Sequence, residues 1–221
     1  MADPGNERGW LAGRAVIVTG ASRGIGRAVA RRLAARGALV AGFGRDAAQL
    51  ERTRALVAAD GGAFWPRVVD VTRPEEVDKA VAEVAGQLGS IDVLVNNAAA
   101  CLRGGVAELP AEDCDTMIAS NVSSVVYCCR AVWEQMRSQG EGVIVNVSSL
   151  SAVAFTPGFA VYGATKGFVN TFTAALAAEG RKAGIRVYAV APGYVRTELL
   201  ARVAPEVPED KALEPDDVAV A

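Results

Sequence analysis

The sequence predicts one α/β domain, a doubly wound parallel sheet with helices on both faces. Three observations carry this: short runs rich in valine and isoleucine, longer segments with helical periodicity, and regular alternation of the two kinds along the chain. The strand-like runs are apolar throughout instead of alternating, the pattern of strands buried on both faces. A chain of 221 residues, 51% of them apolar, has room for a single well-filled core.

The first run, "RAVIVTG", ends in glycine and leads into "RGIGRAVARRLAARG", where Ile25, Val29 and Leu33 form an apolar stripe at helical spacing. "ALVAGFG" is the second strand, and Asp46 behind it reads as the N-cap of the helix "AAQLERTRALVAA". The third strand is "AFWPRVVDV". Thr72, Pro74 and two glutamates then suit a helix N-terminus, Thr72 by capping and the acids by the dipole. Val77, Val81 and Val84 form the apolar stripe of that helix, "RPEEVDKAVAEVAGQLG". "IDVLVNN", "GVIVNVSS" and "IRVYAVAP" complete the strands. The helical pattern "VSSVVYCCRAVWEQM" lies between the first two of these, and "PDDVA" starts a helix near the end. In such a sheet, ligands bind beyond the carboxyl ends of the strands.

Composition narrows the function. A formal charge of −2 and an isoelectric point near 5.4 supply no basic stripe for a phosphate backbone, so nucleic acid is not an expected partner. "MADPGNERGW" shows no basic segment followed by an apolar one, and no apolar run approaches the roughly 18 residues of a membrane span. A cytoplasmic protein is expected, with residues 1–10 a flexible tail and 11–221 the folded domain. The absence of histidine excludes a Ser-His or Cys-His nucleophile, and Cys101, Cys114, Cys128 and Cys129 lack the CxxC spacing of a zinc site. Free thiols and no metal are expected.

The first carboxyl end, "VIVTGASRGIGRAVA", places Gly20, Gly24 and Gly26 where strand turns into helix, which lets backbone approach an anion and aims free helix N–H groups at it. The spacing is TGxxxGxG, and with it the chain resembles the classical short-chain dehydrogenases/reductases, among them the 3-oxoacyl-ACP reductase-like and broad carbonyl reductase members. "NNAAA" is similar to the family's NNAG element, with Ala99 in place of the glycine. "SNVSSV" supplies Asn121, "VNVSS" Ser149, "YGATK" Tyr162 and Lys166, and "APGYVRT" resembles the PGxxxT segment. Ser149 stands thirteen residues before Tyr162, the family's usual separation.

This resemblance implies a Rossmann-type domain and hydride transfer between a nicotinamide dinucleotide and a carbonyl or alcohol. It implies Asn121, Ser149, Tyr162 and Lys166 as the catalytic set. Lys166 would also hold the nicotinamide ribose, Ser149 the substrate oxygen, and Asn121 a water in a proton relay. Implied cofactor contacts are Gly20, Ser22, Arg23, Gly24, Ile25 and Gly26 in the first loop, Asp70 and Val71 at the adenine, Asn97 near the adenosine ribose, Tyr162 and Lys166, and Pro192, Gly193, Val195 and Thr197 after the sixth strand. Chemistry supplies its own reason for the Tyr162–Lys166 pair. An ammonium four residues on lies on the same helix face, and its charge favours the ionised form of a phenol whose unperturbed pKa is about 10.

Where NAD-binding members carry an acid at the end of the second strand, this chain has Gly44 followed by Arg45, and Arg23 lies close by in the glycine loop. Both arginines point to the 2′-phosphate of NADP(H), with NAD(H) the alternative. Candidate substrate-wall residues are Cys101, Leu102, Phe155, Phe159 and Tyr194. Residues 198–214 are expected to cover the substrate with little apolar area, and no arginine clamp for a carboxylate stands out. A ketone or aldehyde reductase of broad specificity follows, with a β-ketoacyl thioester or a hydroxy acid as alternative substrates. Family members continue beyond "PDDVA" with a further helix and a seventh strand. A truncated C-terminus, a six-stranded sheet and a homodimer or homotetramer are therefore expected. A dinucleotide sensor without turnover would have lost a catalytic side chain, and an epimerase of the extended branch would carry TGxxGxxG; the sequence shows neither.

Overall fold

The computed structural model describes residues 11–220, so the tail predicted over residues 1–10 lies outside the described residues. All six predicted strands form: β1 Ala15–Thr19, β2 Leu39–Gly44, β3 Ala63–Val68, β4 Val93–Asn96, β5 Gly142–Val147 and β6 Ile185–Val190. Every neighbouring pair is parallel, in the order β3-β2-β1-β4-β5-β6. The order reverses between β1 and β4, and that switch point opens a crevice beyond their carboxyl ends.

Helices α1 Gly24–Ala35 and α2 Ala47–Ala59 pack on one face, and α3 Pro74–Leu88, α5 Ser124–Gln139 and α6 Ala160–Gly180 on the other. The shorter α4 Ala111–Ile118, α7 Glu198–Val203 and α8 Pro215–Val220 complete the set, α8 lying against α1. Burial follows position in the sheet. β1 and β4 are buried at every residue. β3 carries Pro66 opposite Gly42, and a sheet tolerates proline at its edge. β6, the other edge, departs from the predicted two-sided burial: Ile185 and Val187 are buried, whereas Arg186, Tyr188 and Ala189 are exposed.

Val29 and Leu33 of the predicted α1 stripe pack half-buried against the core, beside the buried Gly26, Ala28, Ala30 and Ala34. One local expectation is corrected: Thr72 does not cap α3. The N-cap position is Arg73, without a side-chain cap, and the Thr72 hydroxyl donates to Asp70 Oδ1 at 2.7 Å. Pro74, Glu75 and Glu76 do occupy the first turn, and Val77, Val81 and Val84 are buried as expected. Asp46 caps α2, accepting from Gln49 N at 3.0 Å.

The four cysteines are free thiols, with Cys128 and Cys129 on the core-facing side of α5. A polar ladder crosses that core: Asn96 Nδ2 donates to Asn146 Oδ1 at 2.9 Å, and Asn146 Nδ2 to Thr173 Oγ1 at 2.9 Å. It ties β4, β5 and α6 together directly below the crevice. Each buried amide in it has a partner, the condition under which buried polar groups add rigidity instead of a desolvation penalty.

Candidate active site

The loop between β1 and α1 is built for close approach. Gly20 and Gly24 have φ of 66° and 52°, a region that side chains other than glycine rarely adopt. A Cβ on Gly26 would lie 2.2 Å from the Gly20 carbonyl oxygen and 2.5 Å from Asn97 Nδ2. The turn after β4 is laced to the same loop. Thr19 Oγ1 accepts from Asn97 N at 2.9 Å and Ala98 N at 3.0 Å, and Asn97 Nδ2 donates to the Thr19 carbonyl at 3.0 Å. Ala99 needs no left-handed backbone, which is why alanine serves where the resemblance has glycine.

A cleft of about 700 Å³ runs from this loop across the carboxyl ends of the strands. All the residues predicted to bind or catalyse line it except Gly26 and Asn121. Gly26 instead packs under the Gly20 turn. Asn121, fully buried, sits behind the cleft in a π-helical turn, Ala119–Ser123, joining α4 to α5. Its side chain accepts from Ala100 N at 2.8 Å and donates to Ala100 O at 2.8 Å and Thr165 Oγ1 at 3.0 Å. Thr165 in turn donates to the Tyr162 carbonyl at 2.7 Å, so Asn121 braces the helix turn that carries the phenol. Such π-turns inside α-helices are frequent at functional sites.

At the middle of the cleft, Ser149, Tyr162 and Lys166 converge. Ser149 follows β5, and its Oγ accepts from Ser151 N at 3.1 Å. Lys166 Nζ donates to the Val147 carbonyl at 2.8 Å and lies 5.8 Å from the centre of the Tyr162 ring. Burial pushes the phenol up to about 12; the neighbouring Cys101 adds to that, and a hydrogen bond from Ser149 works against it. Burial likewise pushes the Lys166 ammonium down to about 8. The tyrosine pKa is thus raised where the spacing predicted a lowering by Lys166, because burial removes the phenolate from water and only the Ser149 hydrogen bond works against it. Cys101 is buried beside them, its thiol pushed up to about 11 by burial although Lys166 and Arg202 pull it down.

Of the predicted wall residues, Cys101, Phe159 and Tyr194 line the cleft. Leu102 does not, and Phe155 is 89% exposed. The structure also corrects the expectation of little apolar cover. Leu199, Leu200, Val203 and Ala204 of α7 and its C-terminal end face the cleft, and the segment is closed at its base where Arg196 N donates to Leu213 O at 2.8 Å and Leu213 N to Tyr194 O at 2.9 Å. The helical spacing of these apolar residues was visible in "ELLARVA", but which way the segment folds back was not.

The rim of the cleft carries the charges. Arg45 lines it, close enough for its charge to help hold Asp70 ionised. Burial opposes that ionisation, but the Thr72 hydroxyl and backbone N–H, both donating to Asp70, outweigh it and keep the carboxyl below its usual range. Arg23 pairs with Glu198 Oε2 at 2.6 Å, linking the glycine loop to the first residue of α7.

The sequence profile described as short chain dehydrogenase matches residues 14–208. The chain belongs to the short-chain dehydrogenase/reductase family. Gluconate 5-dehydrogenase of Gluconobacter oxydans is 37% identical over 193 residues, covering 87% of this chain and 75% of the relative. Among solved structures, a short chain dehydrogenase from Burkholderia cenocepacia in complex with NADP is 33% identical with a TM-score of 0.87, covering 95% of this chain and 89% of that one. A 3-ketoacyl-(acyl-carrier-protein) reductase from Brucella melitensis complexed with NADH is 32% identical with a TM-score of 0.88, at the same coverages.

As a short-chain dehydrogenase/reductase the protein is an oxidoreductase acting at an alcohol or carbonyl group with a nicotinamide dinucleotide. The residues present fit that group. The first turn of α1 has no side-chain cap and no acid, so its N–H groups remain for an anion, and the turn before it is held in a shape that leaves no room for a Cβ at Gly26. Among the described residues no cluster of metal-ligating side chains forms, and no helix is long and apolar enough to cross a membrane.

Proposed function

We propose that the protein is an NADP(H)-dependent reductase of ketones or aldehydes, working through Ser149, Tyr162 and Lys166 with Asn121 as their brace. The observation that carries this is the convergence of the three side chains in a cleft whose other end is the glycine cradle. The bound nicotinamide supplies the hydride. Ser149 orients the carbonyl oxygen by a hydrogen bond, and Tyr162 gives that oxygen its proton as negative charge develops there. A phenol held up at about 12 is protonated near neutrality, the state a proton donor needs. Lys166, charged below about pH 8, offsets the phenolate left behind.

NADP(H) is supported by Gly44, which offers no carboxylate to repel a 2′-phosphate, and by Arg45 on the rim. Asp46 is occupied in capping α2. Relatives of known name act on gluconate or on 3-ketoacyl thioesters, both within the carbonyl and secondary-alcohol class. We further propose a cytoplasmic homodimer or homotetramer.

The test begins with titrations of NADPH and NADH followed by nicotinamide fluorescence. NADPH is expected to bind at least about tenfold tighter, the effect of one charge-assisted contact. Tighter NADH binding would overturn the cofactor assignment. Tyr162→Phe is then expected to lose about 100- to 10,000-fold in kcat while keeping its affinity for NADPH; undiminished turnover in that variant would remove the mechanism.

A further inference from the structure

One cation at the substrate end of the cleft has no function in the chemistry above. Arg202 stands in the last turn of α7, on the segment that covers the cleft, and lines the cavity together with Leu199, Val203 and Phe159. The other arginines of this segment are paired. Arg196 meets Glu214 at 2.9 Å, and Arg103, reaching over from the turn after β4, holds Glu206. The natural partner of Arg202 is Glu198, four residues earlier on the same helix face. Glu198 is instead held at 2.6 Å by Arg23, so Arg202 has no carboxylate partner among the described residues. Its charge nevertheless reaches into the site, since it acts on the Cys101 thiol that neighbours Tyr162.

We infer that Arg202 selects substrates carrying a carboxylate, so that the reacting carbonyl belongs to an oxo acid whose acid group pairs with the guanidinium at the mouth of the cleft. This rests on the proposed reductase function and narrows its substrate class. A guanidinium matches a carboxylate in a bidentate fork, and Arg202, itself exposed at the mouth of the cleft, is free to offer that fork to an entering acid. One arginine balances the single charge of a carboxylate; a phosphate dianion would call for further donors.

The test compares acetoacetate, levulinate and 5-oxohexanoate with their methyl esters, each with NADPH, in the unaltered chain and in Arg202→Gln, Arg202→Lys and Arg196→Gln. The acid-over-ester ratio of kcat/KM, at the chain length that reaches Arg202, is expected to fall about 10- to 100-fold in Arg202→Gln through KM, the range for a charged hydrogen bond. Arg202→Lys should recover part of it. Arg196→Gln, which removes a cation paired at the base of the segment, should leave the ratio in place. A ratio that is unmoved in Arg202→Gln, or that falls equally in Arg196→Gln, would overturn the inference. If neither acids nor esters turn over, the reductase assignment fails separately, and calorimetric titration of the same pairs onto the chain decides for Arg202. Acid binding over ester that disappears in Arg202→Gln supports its role; no preference, or no binding, ends it.

Discussion

Lys166 is 3% exposed and buries its ammonium against a backbone carbonyl, without a carboxylate. Its folded-state pKa of about 8 lies below the roughly 10.4 of an unfolded lysine, so between those values the unfolded chain holds a proton that the folded chain has released. Stability therefore rises with pH across that window, as the penalty for burying the charge is relieved. Tyr162 runs the other way: its pKa is raised, so its contribution is intact below about pH 10 and lost as pH climbs towards 12. We expect Lys166→Met to be more stable than the unaltered chain at pH 7, with the gap narrowing by pH 9.5, as measured by urea unfolding. A gap independent of pH would mean that the lysine titrates normally. At this scale the shared face of Tyr162 and Lys166 was legible from spacing, because one helical turn fixes which side chains lie together, whereas Ser149 was named only through the resemblance to a family. The protonation balance was not, since it depends on burial supplied by distant segments.

The glycine cradle is a property of two elements held in contact. Gly26→Ala would drive a Cβ into the Gly20 carbonyl, a backbone atom that cannot swing away. We expect a loss of about 1–3 kcal/mol or more in unfolding free energy, as for overpacked cores, together with loss of NADPH binding. A stable Gly26→Ala protein that still binds NADPH would show that α1 can shift along the sheet. The strands and helices themselves were readable because periodicity is local, and the six strands, the Asp46 cap and the valine stripe of α3 all stand where they were expected. The predicted stripe of α1 was readable in part, since Val29 and Leu33 pack on the core, but the burial of Gly26 was not, because it depends on contact with the Gly20 turn. Thr72 was equally opaque: its hydroxyl had two uses, capping α3 or bonding Asp70, and the second prevailed.

Across the whole molecule, α6 turns an outer face of small and aromatic residues to solvent, with Ala160, Ala164, Ala174 and Ala178 exposed and Phe168 stacked on Phe172 at 5.5 Å. Size-exclusion chromatography with light scattering is expected to give a dimer or tetramer, and mutation of Phe168 to Glu to lower the assembly state; a monomer at micromolar concentration would refute it. The sequence by itself determined the α/β class and the place of the glycine-rich turn, because these follow from hydrophobic period and from spacings of a few residues; the candidate catalytic residues came from its resemblance to a family. Only the tertiary structure decided how the cleft is walled and charged. Arg23 and Glu198 are 175 residues apart, yet their pairing takes the carboxylate that Arg202 would otherwise hold. Long-range contacts of that kind distribute partners among like residues, and no local pattern records which one is left over.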